Sequence, residues 1–289
     1  MQTSACQSSE QIDAEVARLV SSGIRIPPQP KLVQEVVSML QTNDLDLRVM
    51  ADVIAQDAGL TAMLYKITRS AAFARRRPPQ SVEQILVLVG VRQTAMLVQS
   101  YGLTAAFGSK SPMLEQFWAR SGDIAQIASV VAYERVSVCN IFAEQAYMAG
   151  IFHDCGVPIL MQRFPDYCKA TGTNAPPSQW ADAAAEDRAF QVDHCSIGYL
   201  LARHWRLPDF VANAILHHHD LAGLTAQASR SMVAVLQLAI QIYSEERGLS
   251  NPEWERIAKP VLEELGVYPA DLHELCDTVL DMFHGLQAE

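Results

Sequence analysis

From Lys31 onward the apolar positions recur with a helical period. Leu32, Val33, Val36, Val37 and Leu40 fall on one face of a single helix. The polar segment TNDLD follows, and Asp46 is placed to cap a helix running from about Leu47 to Gln56. Asp57-Ala58-Gly59 reads as a break, with the next helix covering about Leu60 to Ser70. Ser81 and Gln84 have the spacing of a capping box, and Gly90 is suited to end the helix they open. A further helix is predicted from Arg92 to Phe107, a long one from Met113 to Arg135, and another from Ile141 to Phe152. Helical patterns continue over Trp180–Ala189, His194–Trp205, Pro208–His218, Ser229–Arg247, Pro252–Leu265 and Pro269–Leu286. Several of these start on proline, tolerated in a first helical turn because its missing N–H has no partner there anyway. No run alternates as a strand. The prediction is an all-α chain of two helical lobes meeting near residue 110. It divides into a leader helix (1–23), an N-terminal lobe (24–108), a second lobe (109–247) and a C-terminal helical extension (248–289).

Composition narrows the class. The chain is 49% hydrophobic, enough for a real core, and its formal charge of −10 disfavours nucleic acid and anionic membranes as partners. No apolar stretch is long enough to span a bilayer, and the N-terminus lacks a secretory pattern. The six cysteines form no CxxC pair and read as reduced thiols, which places the chain in the cytoplasm. Arg75-Arg76-Arg77 is the one dense basic run, read as a solvated turn.

The histidines carry the chemistry. His153 and Asp154 are adjacent at a helix end, His194 opens a helix, and His217, His218, His219 and Asp220 close another. Imidazole and carboxylate together suit Fe, Mn, Zn or Mg. A cation held this way can activate water against a phosphoester. The plainer reading stays open: a histidine at a helix C-terminus gains from the dipole alone, and His194 also fits a core histidine.

The string YMAGIFHDCGVPIL at 147–160 resembles the signature of the HD superfamily of metal-dependent phosphohydrolases. Residues 193–220, DHCSIGYLLARHWRLPDFVANAILHHHD, resemble the HDOD family, the HD-related output domains of bacterial signalling. So do the helices of 24–73 and the run SVEQILVLVGVRQ at 81–93. The resemblance implies an HD-like helical core and a signal-transduction role linked to cyclic dinucleotides or two-component circuits. It also implies a protein partner or a nucleotide ligand met in trans, since no receiver or sensor segment accompanies the motifs. Oligomeric state is left open.

Against the HD-GYP phosphodiesterases, His153, Asp154, His194, His218 and His219 match metal-site positions. Others depart: Arg120 stands where the first histidine belongs, Gln116 where a glutamate belongs, and Ile240 where a late aspartate belongs. A bridged cation pair needs carboxylates, and a guanidinium at about 4 Å repels a cation by several kcal/mol at intermediate dielectric. Arg120 is therefore expected to replace metal by pairing with Asp154, unless it is merely a surface residue of its helix. The resulting expectation is a non-catalytic module with no cofactor. Its alternative is a phosphohydrolase with one divalent metal held by His153, Asp154, His194 and His218.

Overall fold

The computed structural model describes residues 18, 21, 23–41, 45–70, 72–73, 79–107, 112–172 and 181–287. The expected leader helix and the arginine run fall almost wholly outside them. Among the described residues there is no strand, and the chain is a two-lobed helical domain.

The first lobe holds α1 (Lys31–Met39), α2 (Leu47–Ala55), α3 (Ala58–Thr68), α4 (Val82–Val89) and α5 (Val91–Phe107). Asp46 caps α2 as expected, accepting from the Arg48 and Val49 amides. Asp57 does not merely break the chain. It caps α3 by accepting from the Leu60 amide at 2.8 Å, and the Tyr101 hydroxyl donates to the same oxygen at 2.9 Å. Helix α3 therefore begins two residues before the sequence pattern placed it. Ser81 caps α4 through the Gln84 amide, while the Gln84 side chain accepts from the Gln80 amide, one residue before the Ser81 amide that the expected box would use. Gly90 ends α4 at φ 105°, a conformation that favours glycine.

The second lobe is built on α6 (Pro112–Cys139) and α7 (Ala143–Phe152). Small residues let these two approach: a Cβ on Gly150 would lie 2.4 Å from the Ala125 Cα. Helix α7 also packs on α5, which joins the lobes. Two short helices follow in a stretch the sequence pattern assigned to no helix, α8 (Gly156–Arg163) and α9 (Tyr167–Thr171). Then come α10 (Ala183–Phe190), α11 (His194–His204), α12 (Asp209–His217) and α13 (Gln227–Glu246). Residues 231–244 of α13 are buried without a break, so its apolar character runs all round, as in a central helix. Pro208 precedes its helix as the cap residue instead of sitting in the first turn.

The C-terminal helices α14 (Trp254–Glu264) and α15 (Leu272–Gln287) pack on α13 and α6 respectively. Arg135 of α6 donates to the Leu265 and Gly266 carbonyls at 2.8–3.0 Å, satisfying the end of α14. The extension is thus part of the second lobe's core.

Candidate metal and ligand site

The sharp turn after α7 puts His153, Asp154 and Cys155 between two helices, all buried. The start of α11 rests directly on this turn. A Cβ on Gly156 would come 2.1 Å from the His194 carbonyl oxygen, so only glycine permits the approach. The end of α12 closes from the other side, held by the Gln237 side chain, which donates to the His218 carbonyl.

Asp154 is the centre. Its Oδ2 faces the Arg120 guanidinium at 3.2 Å and His153 Nε2 at 3.3 Å. Its Oδ1 faces His194 Nε2 at 3.4 Å and His218 Nε2 at 3.2 Å. Arg120 is 8% exposed, so it is a buried partner and not a surface residue. Burial pushes the Asp154 carboxyl up, but His153, His218 and His194 outweigh it and hold the group well below the carboxylate range. Ile240 lines the adjoining cavity, where it offers no donor, and Gln116 is exposed. His217 is half-buried and not among the side chains around Asp154.

Each imidazole has its Nδ1 tied outward. His153 donates to the Gly150 carbonyl and His218 to the Ile215 carbonyl, both at 2.7 Å. His194 donates to Glu186 at 2.7 Å, and His219 to Glu253 at 2.9–3.0 Å. The Nε2 atoms are then turned inward; those of His194 and His218 face Asp154 Oδ1, and that of His153 is buried without a hydrogen bond. Fixing Nδ1 on a carbonyl or carboxylate is how metal-ligating histidines are oriented.

Four contributors escaped the sequence reading. Glu186 is fully buried and accepts from the His194 amide, His194 Nδ1 and the Tyr167 hydroxyl. It lies in a short charged helix; its spacing with Ala183 and Phe190 on one face was the available signal. Burial and the neighbouring Glu186 push the Tyr167 hydroxyl strongly up, so it stays a donor. Cys195 lies 3.4 Å from His194 Nε2 and 4.0 Å from His218 Nδ1. Burial opposes its ionisation, yet His194 and His218 hold the thiol well below its usual range. Against burial, Cys195 and Asp154 raise His218 to about 10. Glu253 comes from beyond α13, and with His153, Asp154, His218, His219 and Ile240 it lines a cavity of about 690 Å³. By contrast, burial pushes the Cys155 thiol far up, which fits an inert core group.

Replacing Tyr167 with phenylalanine removes one donor from a fully buried carboxylate. The expected loss is about 1.5–3 kcal/mol in unfolding free energy, read by urea denaturation; a change under about 0.5 kcal/mol would show that Glu186 does not need it.

Does the site fit the metal chemistry of an HD scaffold? A bridged pair does not fit. On the Oδ2 side a guanidinium occupies the space of one cation, and Ile240 supplies no second carboxylate. One cation fits on the Oδ1 side: metal–nitrogen bonds of about 2.0–2.1 Å place neighbouring ligand atoms roughly 3.0–3.4 Å apart, and His194 Nε2, His218 Nε2 and Asp154 Oδ1 are separated by 3.2–3.4 Å.

Comparison with known proteins decides the family. The HDOD domain model matches residues 26–221. The chain belongs to the HDOD family. Glu253 and the rest of the 250–253 cavity wall lie beyond the matched HDOD segment. A curated relative of this HDOD chain, an uncharacterised protein of Treponema pallidum, is 26% identical over 200 residues. The match takes in 68% of this chain and only 38% of that relative. Among solved structures, a protein of Shewanella amazonensis described as a candidate metal-dependent phosphohydrolase superposes with a TM-score of 0.72 at 20% identity, covering 96% of this chain and 97% of that one. One from Marinobacter aquaeolei, described as a candidate signal transduction protein, gives 0.66 at 20% identity, covering 96% and 64%. At these identities the likeness is one of fold. No helix among the described residues is long and apolar enough to cross a membrane.

Proposed function

We propose that this HDOD protein is a non-catalytic signal-transduction module that acts in the cytoplasm by binding a protein partner, with the cavity beside Asp154 available to a small ligand such as a nucleotide. The observation that carries this reading is the buried contact between Arg120 and Asp154 Oδ2. Hydrolysis on a bridged cation pair needs both carboxylate oxygens free for metal and a second acid nearby. Here one oxygen is engaged by a fixed positive charge, and the wall beside it is Ile240. A cavity of about 690 Å³ is of a size that encloses a small organic molecule. Neither nucleic acid nor membrane is a partner in this reading, given the net charge of −10.

The test is a phosphodiesterase assay on protein loaded separately with Mn and Fe, using a cyclic dinucleotide and a generic phosphodiester. The expected result is turnover at background, unchanged in Asp154→Asn. Metal-dependent turnover that disappears in Asp154→Asn overturns the reading.

A second reading has a specific observation behind it, the 3.2–3.4 Å triangle of His194, His218 and Asp154 Oδ1. In that reading the chain is a mononuclear phosphohydrolase. His194, His218 and Asp154 would hold one divalent ion, with His153 across the carboxylate. Such an ion supplies Lewis acidity and an acidified bound water. Glu186 and the Ile215 carbonyl would then orient the ligating imidazoles, and Arg120 would keep Asp154 ionised. The same assay separates the two readings.

A further inference from the structure

The geometry points to a closed zinc site built from His194, Cys195, His218 and His219, displaced from Asp154 toward the thiol. Their ligand atoms all lie within 4.8 Å of one another. His194 Nε2 is 3.0 Å from His219 Nε2, 3.4 Å from His218 Nε2 and 3.4 Å from Cys195 Sγ. Tetrahedral zinc, with bonds of about 2.0–2.1 Å to nitrogen and about 2.3 Å to sulfur, sets such atoms about 3.3–3.6 Å apart. The three distances from His194 Nε2 are near that spacing, and the remaining pairs of ligand atoms lie within 4.8 Å.

Two further observations point to a cation there. Three Nε2 atoms converge, while every Nδ1 is committed elsewhere. These commitments are to Glu186, the Ile215 carbonyl and Glu253, the outer ring that ligating histidines use. Two of these three anchors are carboxylates. A zinc ion with one thiolate and three neutral imidazoles carries a net +1, and Glu186 and Glu253 offset it at short range.

The thiolate changes the metal. Sulfur with imidazole selects zinc and other borderline or soft ions over the Mg or Mn of a carboxylate site. It also changes the role. Four protein ligands leave no open position for water, which is the mark of a structural zinc site and not a hydrolytic one. The inference rests on the non-catalytic reading and gives it a physical form: a zinc clasp tying α11, the end of α12 and, through Glu253, the segment before α14.

The experiment uses the full chain, purified under reducing conditions without chelator, then stripped and reloaded with Zn²⁺ or Co²⁺ alone. One equivalent of zinc per chain is expected. The cobalt form should show a near-ultraviolet thiolate-to-cobalt charge-transfer band. Cys195→Ser should abolish the band and weaken zinc binding about 100-fold or more, at or beyond the upper end of what losing an outer partner costs. Asp154→Asn should retain the band. Helical circular dichroism confirms that each variant is folded. A wild-type chain that binds no zinc overturns the proposal, as does cobalt bound without the band. A band that survives Cys195→Ser, or one lost in folded Asp154→Asn, overturns it too. The phosphodiester assay on the zinc-loaded sample is read separately: turnover there defeats the non-catalytic reading, whereas the spectrum alone decides where the metal sits.

Discussion

Replacing Arg120 with alanine should cost about 3–5 kcal/mol of stability, because it leaves the Asp154 carboxylate buried without its cation. The pair is deeply enclosed: the Arg120 side chain is 9% exposed and that of Asp154 4%. Screening is weak at such depth. The three imidazoles around Asp154 already face its two oxygens, and unlike the guanidinium they can lose their proton. Urea denaturation with the slope held constant reads the loss. The double variant Arg120→Ala/Asp154→Asn should recover much of it, since neutralising the carboxylate removes the stranded charge; the coupling in that cycle should exceed about 1 kcal/mol. A single-variant loss under about 1 kcal/mol would mean that the contact is incidental.

The second large effect is expected at Gly156. Alanine there places a Cβ 2.1 Å from the His194 carbonyl oxygen and 2.8 Å from the His194 Cα. These are backbone atoms and cannot swing aside. The start of α11 must lift off the turn that carries His153 and Asp154. Overpacking of a core costs about 1–3 kcal/mol when side chains can adjust, so a backbone clash should cost about 3 kcal/mol or more. Gly122 gives the control. It also lies within a helix, α6, but a Cβ there meets nothing within 4 Å. Gly122→Ala should be neutral or stabilising by up to about 1 kcal/mol. Thermal unfolding of the two variants reads the difference. Equal midpoints would show that the α8–α11 contact is not rigid.

The helices were legible because their signals are local. Asp46, Ser81 and Gly90 each act within one turn, so the pattern and the structure agree there. Asp57 misled because the same side chain that interrupts one helix caps the next, a choice settled by the Tyr101 hydroxyl from forty-four residues away. Helix α8 was hidden in an apolar run whose period does not separate a buried helix from other core. At the site, His153, Asp154, His194, His218, His219 and Arg120 were legible from motif and position. Cys195 was set aside with the other thiols, since nothing in its neighbourhood marks a cysteine that will face three imidazoles.

The sequence by itself determined the all-helical class, the HDOD motifs and the presence of a guanidinium and an isoleucine at two positions of a metal-site pattern. Those properties depend on residue type and on spacings within a few turns. Only the tertiary structure decided that Arg120 meets Asp154, that Tyr167 and Glu186 stand behind His194, and that Glu253 reaches His219. These pairs are separated by 34, 19, 8 and 34 residues. Contacts across such gaps are made by the packing of α6, α10 and the segment before α14 around the buried turn, and no local pattern records them.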